Sequence, residues 1–210
     1  MSKVIIFDFD GVLADSVNTV FKMNKEAVSQ INKTLTMDEY LSCFGGHINQ
    51  RLAILLNLNE EEKRRLIEIK ADLFPSYYRT QEVKLFSFSK ELVVKARDLG
   101  ELWIVSSSPR ELIINILESY GLVDYFTKII GQNSQPKNLF FQSTLKDKKG
   151  GEVFFITDTT GDIKEARMVN SNILTIAVTW GFHSEKVLKV ENPDLLASEY
   201  NEILDFIKTH

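Results

Sequence analysis

Short apolar runs, each ending in polar residues, recur along the chain. Val4–Phe7 is apolar on both faces, as strands buried in a parallel sheet are, and four further runs of four to six residues resemble it. The runs are Val4–Phe7, Leu102–Val105, Phe126–Ile130, Val153–Ile156 and Ile173–Val178. We predict a strand at each of these five places.

Amphipathic stretches separate the later runs. Apolar residues recur at three- and four-residue spacings in Lys90–Leu99, which ends before Gly100, and in Pro109–Tyr120, which ends before Gly121. Ile163–Val169 shows a shorter version of the pattern. Strands that alternate with helices predict an α/β fold of three layers, in which a Rossmann-like parallel sheet is covered by helices on both faces.

Residues 16–82 interrupt this alternation. They contain no convincing strand, and helical patterns cover residues 16–32, 36–43, 48–57 and 59–79. We predict a helical cap domain of residues 16–82, inserted into a catalytic core of residues 1–15 and 83–210. Because active sites of open α/β sheets lie beyond the carboxyl ends of the strands, an insertion that leaves this edge is placed to act as a lid.

Composition narrows the classes of function. The chain has 210 residues, of which 44% are hydrophobic and 26% charged, typical of a soluble globular protein. A net charge of −4 indicates no nucleic-acid footprint, and no apolar run approaches the ~20 residues that span a membrane. Cys43 is the single cysteine, and Val4–Phe7 is too short for the core of a signal peptide, so we expect a cytoplasmic location. The chain could be a monomer or a homodimer.

Polar residues gather where the predicted strands end. They are Asp8 and Asp10 after the first strand, Ser106, Ser107 and Ser108 after the second, Lys137 in the loop beyond the third, and Asp158 and Asp162 after the fourth. Side chains two positions apart in an extended chain point the same way, so Asp8 and Asp10 should lie close together. Such a pair repels unless a cation lies nearby. The pair is therefore either exposed and inert, or it holds a cation and performs chemistry.

Taken singly, several of these residues have a structural explanation. Ser108 and Glu111 form a capping box at the start of a helix, which leaves Ser106 for an anion site. Asp162 suits the first turn of a helix, and a loop lysine such as Lys137 is usually solvated. Taken together, clustered carboxylates with a hydroxyl and an ammonium favour Mg²⁺ and a phosphate group, with one carboxylate as nucleophile.

These motifs resemble those of the haloacid dehalogenase superfamily, in its phosphatase branch with a helical cap. Asp8–Ser16 is similar to the first motif, Ile104–Pro109 to the second and Ile156–Ile163 to the fourth. Val178–Phe182 resembles the stretch after the fifth strand in phosphoglycolate-phosphatase-like members. The likeness extends over essentially the whole chain.

Two positions depart from the family pattern. Thr157 stands where a glycine often precedes the fourth-motif aspartate. The third-motif lysine commonly precedes a proline, whereas here Pro136 precedes Lys137 and Gln135 takes the usual lysine position. We prefer Lys137 because it opens an apolar helix, and Lys128 remains the alternative.

The resemblance implies a Mg²⁺-dependent phosphatase that acts through an aspartyl-phosphate. Asp8 would be the nucleophile, and Asp10 would protonate the leaving oxygen and then activate water. The other implied site residues are Asp158 as a Mg²⁺ ligand beside Asp8 and the Asp10 carbonyl, Ser106, Ser107 and Lys137 for the phosphoryl oxygens, and Asp162 to orient the lysine or a metal-bound water.

The cap would exclude water and select a small phosphorylated metabolite. Within Phe44–Arg51, His47 and Arg51 are the candidate substrate contacts, and Arg51 could grip a second anionic group. We expect His183 and His210 at the surface. Two other functions stay open: a phosphosugar mutase of the same branch, and a non-catalytic phospho-acceptor or binding module, against which the paired aspartates and the inserted helices argue.

Overall fold

A computed structural model describes residues 3–79, 83–131, 137–145, 152–169 and 173–210. The strands are β1 (Val4–Phe7), β2 (Ala14–Asp15), β3 (Lys84–Leu85), β4 (Glu101–Val105), β5 (Phe126–Ile130), β6 (Val153–Thr157), β7 (Ile173–Val178) and β8 (Leu195–Ala197). The helices are α1 (Val17–Ser29), α2 (Met37–Ser42), α3 (Ile48–Leu55), α4 (Glu60–Arg79), α5 (Ser89–Arg97), α6 (Arg110–Ser119), α7 (Lys137–Leu145), α8 (Thr160–Val169), α9 (Glu185–Lys189) and α10 (Tyr200–Thr209). No helix in these ranges is long and apolar enough to cross a membrane.

Six strands form one parallel sheet, in the order β5-β4-β1-β6-β7-β8. All five predicted strands are present, and their bounds agree to within one residue. The sixth, β8, was not predicted because three residues carry too little pattern. From β1 the chain continues to β4 and β5 on one side of the sheet, and then returns to β6, β7 and β8 on the other side of β1. This reversal of strand order places a crevice at the carboxyl ends of the central strands.

Helices cover both faces of this sheet, as the α/β prediction requires. Ile5 and Phe7 of β1 point into a core shared with α5, α6 and α10, whereas Val4 and Ile6 point into one shared with α7 and α8. All four side chains are buried, because alternate residues of a central strand face opposite layers. The predicted three-layer architecture is therefore confirmed.

We call α1–α4 the helical layer. It has an apolar cluster of its own, which Phe182 joins from the segment after β7, and the rings of Phe182 and Phe44 lie 4.4 Å apart. The chain passes between sheet and helical layer through β2 and β3, a two-residue antiparallel pair. Each predicted helix of this region is present, with ends that differ by at most three residues.

Candidate active site

A cleft of about 220 Å³ lies between the carboxyl edge of the sheet and the helical layer. Pockets for drug-sized ligands are larger, about 300–1,000 Å³, so this cleft suits a small molecule. Its walls on the sheet side include Asp8, Asp10, Ser106, Lys137, Asp158 and Asp162. The sequence motifs thus converge on one cavity, because β4, β1 and β6 are neighbours in the sheet.

Asp8 follows β1 directly and is 7% exposed. Its Oδ1 accepts a hydrogen bond from the Phe9 amide at 2.7 Å, and its Oδ2 lies 2.7 Å from Lys137 Nζ. Burial raises the pKa of Asp8 well above its usual value, and the ammonium of Lys137 opposes this rise. The arrangement holds a carboxylate in a fixed orientation with a cation beside it.

Lys137 opens α7 and is buried. Its ammonium contacts Asp162 Oδ2 at 2.7 Å as well as Asp8, and the two carboxylates raise its pKa against the effect of burial. Glu165 of α8 accepts from the Lys137 amide at 2.5 Å and so fixes the start of α7. The alternative, Lys128, is exposed on β5, where its Nζ lies 4.0 Å from the centre of the Trp103 ring.

Two hydroxyl groups hold the Asp10 carboxylate. Ser108 Oγ donates to Asp10 Oδ2 at 2.5 Å, and the Tyr78 hydroxyl donates to Asp10 Oδ1 at 2.8 Å. The predicted capping box at Ser108 is wrong: Pro109 is the residue before α6, no side chain caps that helix, and the Ser108 hydroxyl points to Asp10 instead. Tyr78 belongs to α4, so the helical layer contacts Asp10 directly.

Ser106 is buried at the tip of β4, whereas Ser107 beside it is exposed. The Ser106 amide donates to the Ile130 carbonyl at 2.9 Å, and its Oγ accepts from the Ser108 amide at 3.0 Å. This fixed turn leaves both serines on the wall of the cleft.

Asp158 is fully buried at the end of β6. Its Oδ2 accepts from the Phe182 amide at 2.7 Å, but its Oδ1 has no hydrogen-bond partner within the described part of the chain. Burial raises its pKa to about 7. Gly11 and Gly181 press against this carboxylate, and a Cβ at either would lie within 2.1 Å of Oδ2, so both positions require glycine.

Asp162 and Thr157 complete the support around Lys137. Burial would raise the pKa of Asp162, but Lys137 outweighs burial and lowers it. The Thr157 hydroxyl donates to Asp162 Oδ2 at 2.8 Å. A glycine at position 157 could not make this bond.

His183 is buried, which contradicts the prediction that it lies at the surface. Its Nδ1 accepts from the Thr160 amide at 3.1 Å, and its Nε2 lies 3.0 Å from the Leu41 carbonyl of the helical layer. Burial lowers its pKa and favours the neutral ring that this pair of contacts needs. His210 is exposed, as expected.

The helical layer supplies a roof to the cleft in which apolar and polar side chains are mixed. His47 lies on the cleft wall, as does Lys70 of α4, whose Nζ donates to Asn49 Oδ1 at 2.8 Å. Arg51 is exposed next to Gly46 and is absent from the cleft wall, so among the described residues of the helical layer the lysine or arginine on that wall is Lys70.

Four contacts at the site escaped the sequence analysis: those of Tyr78, Glu165, His183 and Lys70. Tyr78 and Lys70 lie in the helical stretch 59–79, where the spacing of Ile67, Lys70, Phe74 and Tyr78 along one helix face could have indicated a shared wall. Nothing in the sequence pairs Glu165 with the start of α7 or His183 with Leu41, because tertiary packing brings these segments together.

The buried cluster fits a divalent cation. Three carboxylates, of Asp8, Asp158 and Asp162, face one ammonium, and one oxygen of Asp158 lacks a partner in the described ranges. Within those ranges no three Asp, Glu, His or Cys side chains are arranged to hold a metal by themselves. Mg²⁺ does not need three, because it commonly binds one or two carboxylates and keeps waters or phosphate oxygens.

Comparison with known proteins points to one family. A family model for haloacid dehalogenase-like hydrolases matches residues 5–178. A phosphoglycolate phosphatase of Vibrio parahaemolyticus is 24% identical over 98% of this chain and 96% of its own length. A crystal structure described as a predicted phosphatase from Clostridium acetobutylicum superimposes with a TM-score of 0.86 and 22% identity, covering both chains fully. A second crystal structure is described as a predicted phosphoglycolate phosphatase from Haemophilus somnus. It superimposes with a TM-score of 0.77 and is 20% identical in sequence, covering 98% of this chain and 97% of the other. At such identities these structures establish the fold.

Proposed function

Because the chain belongs to the haloacid dehalogenase-like hydrolase family, we propose that it is a phosphatase that hydrolyses a small phosphomonoester through an aspartyl-phosphate on Asp8. The observation that carries this proposal is the buried Asp8 carboxylate, which lies in a small cleft with Lys137 Nζ 2.7 Å from its Oδ2. A carboxylate attacks an anionic phosphate ester only where nearby positive charge offsets the repulsion.

The reaction has two steps. An Asp8 oxygen forms a bond to phosphorus while the bond to the leaving oxygen breaks, and Asp10 gives its proton to that oxygen. Asp10 then takes a proton from water as the water attacks phosphorus, the bond to Asp8 breaks, and inorganic phosphate leaves. The Ser108 and Tyr78 hydroxyls orient Asp10 for both transfers.

Ser106, Ser107 and Lys137 would bind the phosphoryl oxygens. Ser106 is held by backbone contacts on both sides, and Lys137 is held by Asp162, so neither has to be ordered when substrate binds. Such fixed donors stabilise the negative charge of the transition state at little reorganisation cost.

Phosphatases of this family generally use a divalent metal ion, and we propose Mg²⁺ here. Asp8 and Asp158 would hold it with their carboxylates, and Asp10 with its backbone carbonyl; the unpartnered Asp158 Oδ1 supports this assignment. When bound, the ion supplies positive charge that polarises the phosphoryl group and screens the carboxylates from one another.

We also propose that the helical layer, within residues 16–82, acts as a cap that selects the substrate. Its side chains form the roof of the cleft, and Tyr78 reaches Asp10 from it. Because several relatives bear the name phosphoglycolate phosphatase, phosphoglycolate is the first ester to test. The cytoplasmic location and the choice between monomer and homodimer stay predictions.

The test is phosphate release from a panel of small phosphate esters with Mg²⁺ and with chelator. We expect wild-type release that depends on the metal and is lost in Asp8→Asn, since an amide cannot attack phosphorus. Asp205→Asn, at an exposed position of α10, is the matched control and should keep full activity. Circular dichroism checks that all three proteins are folded.

Three results would contradict the proposal. Undiminished turnover by Asp8→Asn excludes this nucleophile. Conversion of a sugar phosphate to its isomer without free phosphate identifies a mutase. A phosphorylated Asp8 that persists for minutes, seen by mass spectrometry, identifies a phospho-acceptor module.

A further inference from the structure

Lys70 is a buried cation on the cleft side of α4. It is 9% exposed, and its Nζ donates to Asn49 Oδ1 at 2.8 Å. Among the described residues, no carboxylate forms an ion pair with it. An ammonium removed from water without a carboxylate partner is costly, so such a group is rare unless a ligand completes it.

The position of Lys70 on α4 directs it to the substrate side of the cavity. Ile67, Lys70, Ala71 and Phe74 line the cleft, and Tyr78 continues the same helix face to Asp10. Lys70 and Tyr78 are eight positions apart, a distance of about 12 Å along the helix axis. Lys70 therefore faces the part of the cavity that lies away from the reacting phosphate.

The two lysines on the described cleft wall differ in what they contact. Lys137 touches two carboxylates at 2.7 Å, so its charge is balanced inside the protein. In the described ranges, the hydrogen bond of the Lys70 ammonium goes to the neutral amide oxygen of Asn49. Burial lowers its pKa to about 8, which leaves most of the side chain charged at neutral pH. A negatively charged group on the ligand would give Lys70 the kind of anionic partner that Lys137 already has inside the protein.

We propose that Lys70, together with Asn49, binds a carboxylate on the substrate, so that the protein prefers short phosphomonoesters that carry a carboxylate. This inference rests on the proposed phosphatase function. The Asn49 oxygen accepts from Lys70, which leaves its amide N–H₂ as a second donor beside the ammonium. Two donors side by side match the two oxygens of a carboxylate, and one ammonium balances its single charge.

The experiment compares two esters of the same length, phosphoglycolate and 2-hydroxyethyl phosphate, which differ in the terminal carboxylate. We expect wild type to prefer phosphoglycolate by at least about 10-fold in kcat/KM. Lys70→Gln should lower kcat/KM for phosphoglycolate by roughly 10- to 100-fold, mainly through KM, because a hydrogen bond to a charged group is lost. The same variant should change kcat/KM for 2-hydroxyethyl phosphate, which lacks the carboxylate, by less than about 3-fold.

Two further variants show whether charge is responsible. Lys70→Arg keeps the positive charge and should retain much of the preference. Lys63→Gln removes an exposed lysine from the same helix and should behave as wild type. Thermal denaturation of each protein confirms that it is folded.

The outcomes separate this inference from the proposed function. If wild type releases phosphate from no ester, the phosphatase proposal fails. If it hydrolyses both esters and Lys70→Gln affects neither, or both equally, the phosphatase proposal stands and the carboxylate subsite is wrong. Wild type could instead prefer a bisphosphate over phosphoglycolate and lose this preference in Lys70→Gln. That result would also overturn the carboxylate subsite, because the subsite would then bind a second phosphate group.

Discussion

Two buried lysines in one cleft show that a carboxylate partner determines whether the pKa of a buried lysine is raised or lowered. Lys137 lies against Asp8 and Asp162, which raise its pKa, whereas burial without a carboxylate lowers that of Lys70 to about 8. The folded state therefore holds the Lys70 proton less tightly than the unfolded chain, where the pKa is about 10.5. At neutral pH this difference costs roughly 3 kcal/mol of stability.

Lys70→Met should consequently stabilise the protein at pH 7, by about 1–3 kcal/mol, while it weakens the use of carboxylate esters. The unfolded chain binds more protons than the folded one between pH 8 and 10.5, so wild type gains stability across this window. The difference in stability between Lys70→Met and wild type should therefore shrink as the pH rises from 8 to 10.5. Urea denaturation at pH 7 and pH 10 measures both effects, with Lys63→Met as the surface control. A variant less stable than wild type at pH 7 would refute the argument.

The candidate catalytic residues could be proposed from the sequence and most of the contacts that support them could not, for a physical reason. Asp8, Ser106 and Asp158 directly follow buried strands, and parallel strands bring such positions to one edge. Glu165 reaches the start of α7 through packing that no local pattern encodes, and the spacing of Tyr78 along α4 indicates a shared wall but does not name Asp10 as its partner. Ser108 was misread because a hydroxyl before a helix has two possible partners, and here the carboxylate of Asp10 is the one it bonds.

Among the elements, α4 carries both the proposed carboxylate-binding residue and a residue that bonds the proposed acid/base, Asp10. One end of its cleft face carries Lys70 and the other carries Tyr78, which bonds Asp10 at 2.8 Å. Pro75 lies between them and cannot donate the backbone hydrogen bond to residue 71, so the turn that carries Tyr78 is less firmly joined to the rest of the helix. A shift of α4 would therefore alter how Asp10 is held.

Tyr78→Phe tests this link. It removes one of two donors to Asp10, and we expect kcat for alkyl phosphate esters to fall about 10-fold. A nitrophenyl ester has a better leaving group that needs little protonation, so its kcat should fall much less. The neighbouring Tyr77→Phe removes a hydroxyl that bonds Glu26 instead and should leave both rates unchanged. An equal loss for both esters would mean that Tyr78 serves only packing.

Most elements with strong periodicity were predicted well and short ones were missed, but the amphipathic ten-residue helix α10 was missed as well. The central strands and the four helices of the helical layer needed only an apolar pattern and a polar stop. The pair β2 and β3 has two residues in each strand. It forms only because the chain, after the helical layer, returns to the point of the sheet from which it entered that layer.

For the whole molecule, the surplus of buried negative charge predicts stabilisation by Mg²⁺. A ligand that binds only the folded state at 100 times its Kd adds about 2.7 kcal/mol. We expect the melting temperature of wild type to rise with Mg²⁺ and to return with chelator. Asp158→Asn should abolish the shift, whereas Asp205→Asn should preserve it. If Mg²⁺ left the melting temperature of wild type unchanged, this result would contradict the proposed metal site.

The outer strand β5 has a consequence for how copies of this protein meet. In the described sheet it pairs only with β4, so its other side has no strand partner and a second sheet could supply one, and Arg110 Nε donates to the Ile129 carbonyl of this strand. Lys128 stands on this strand, exposed, with its ammonium over Trp103. A charge on an edge strand discourages sheet-to-sheet pairing, so the lysine that competed with Lys137 for a catalytic role is better placed to keep the protein from aggregating.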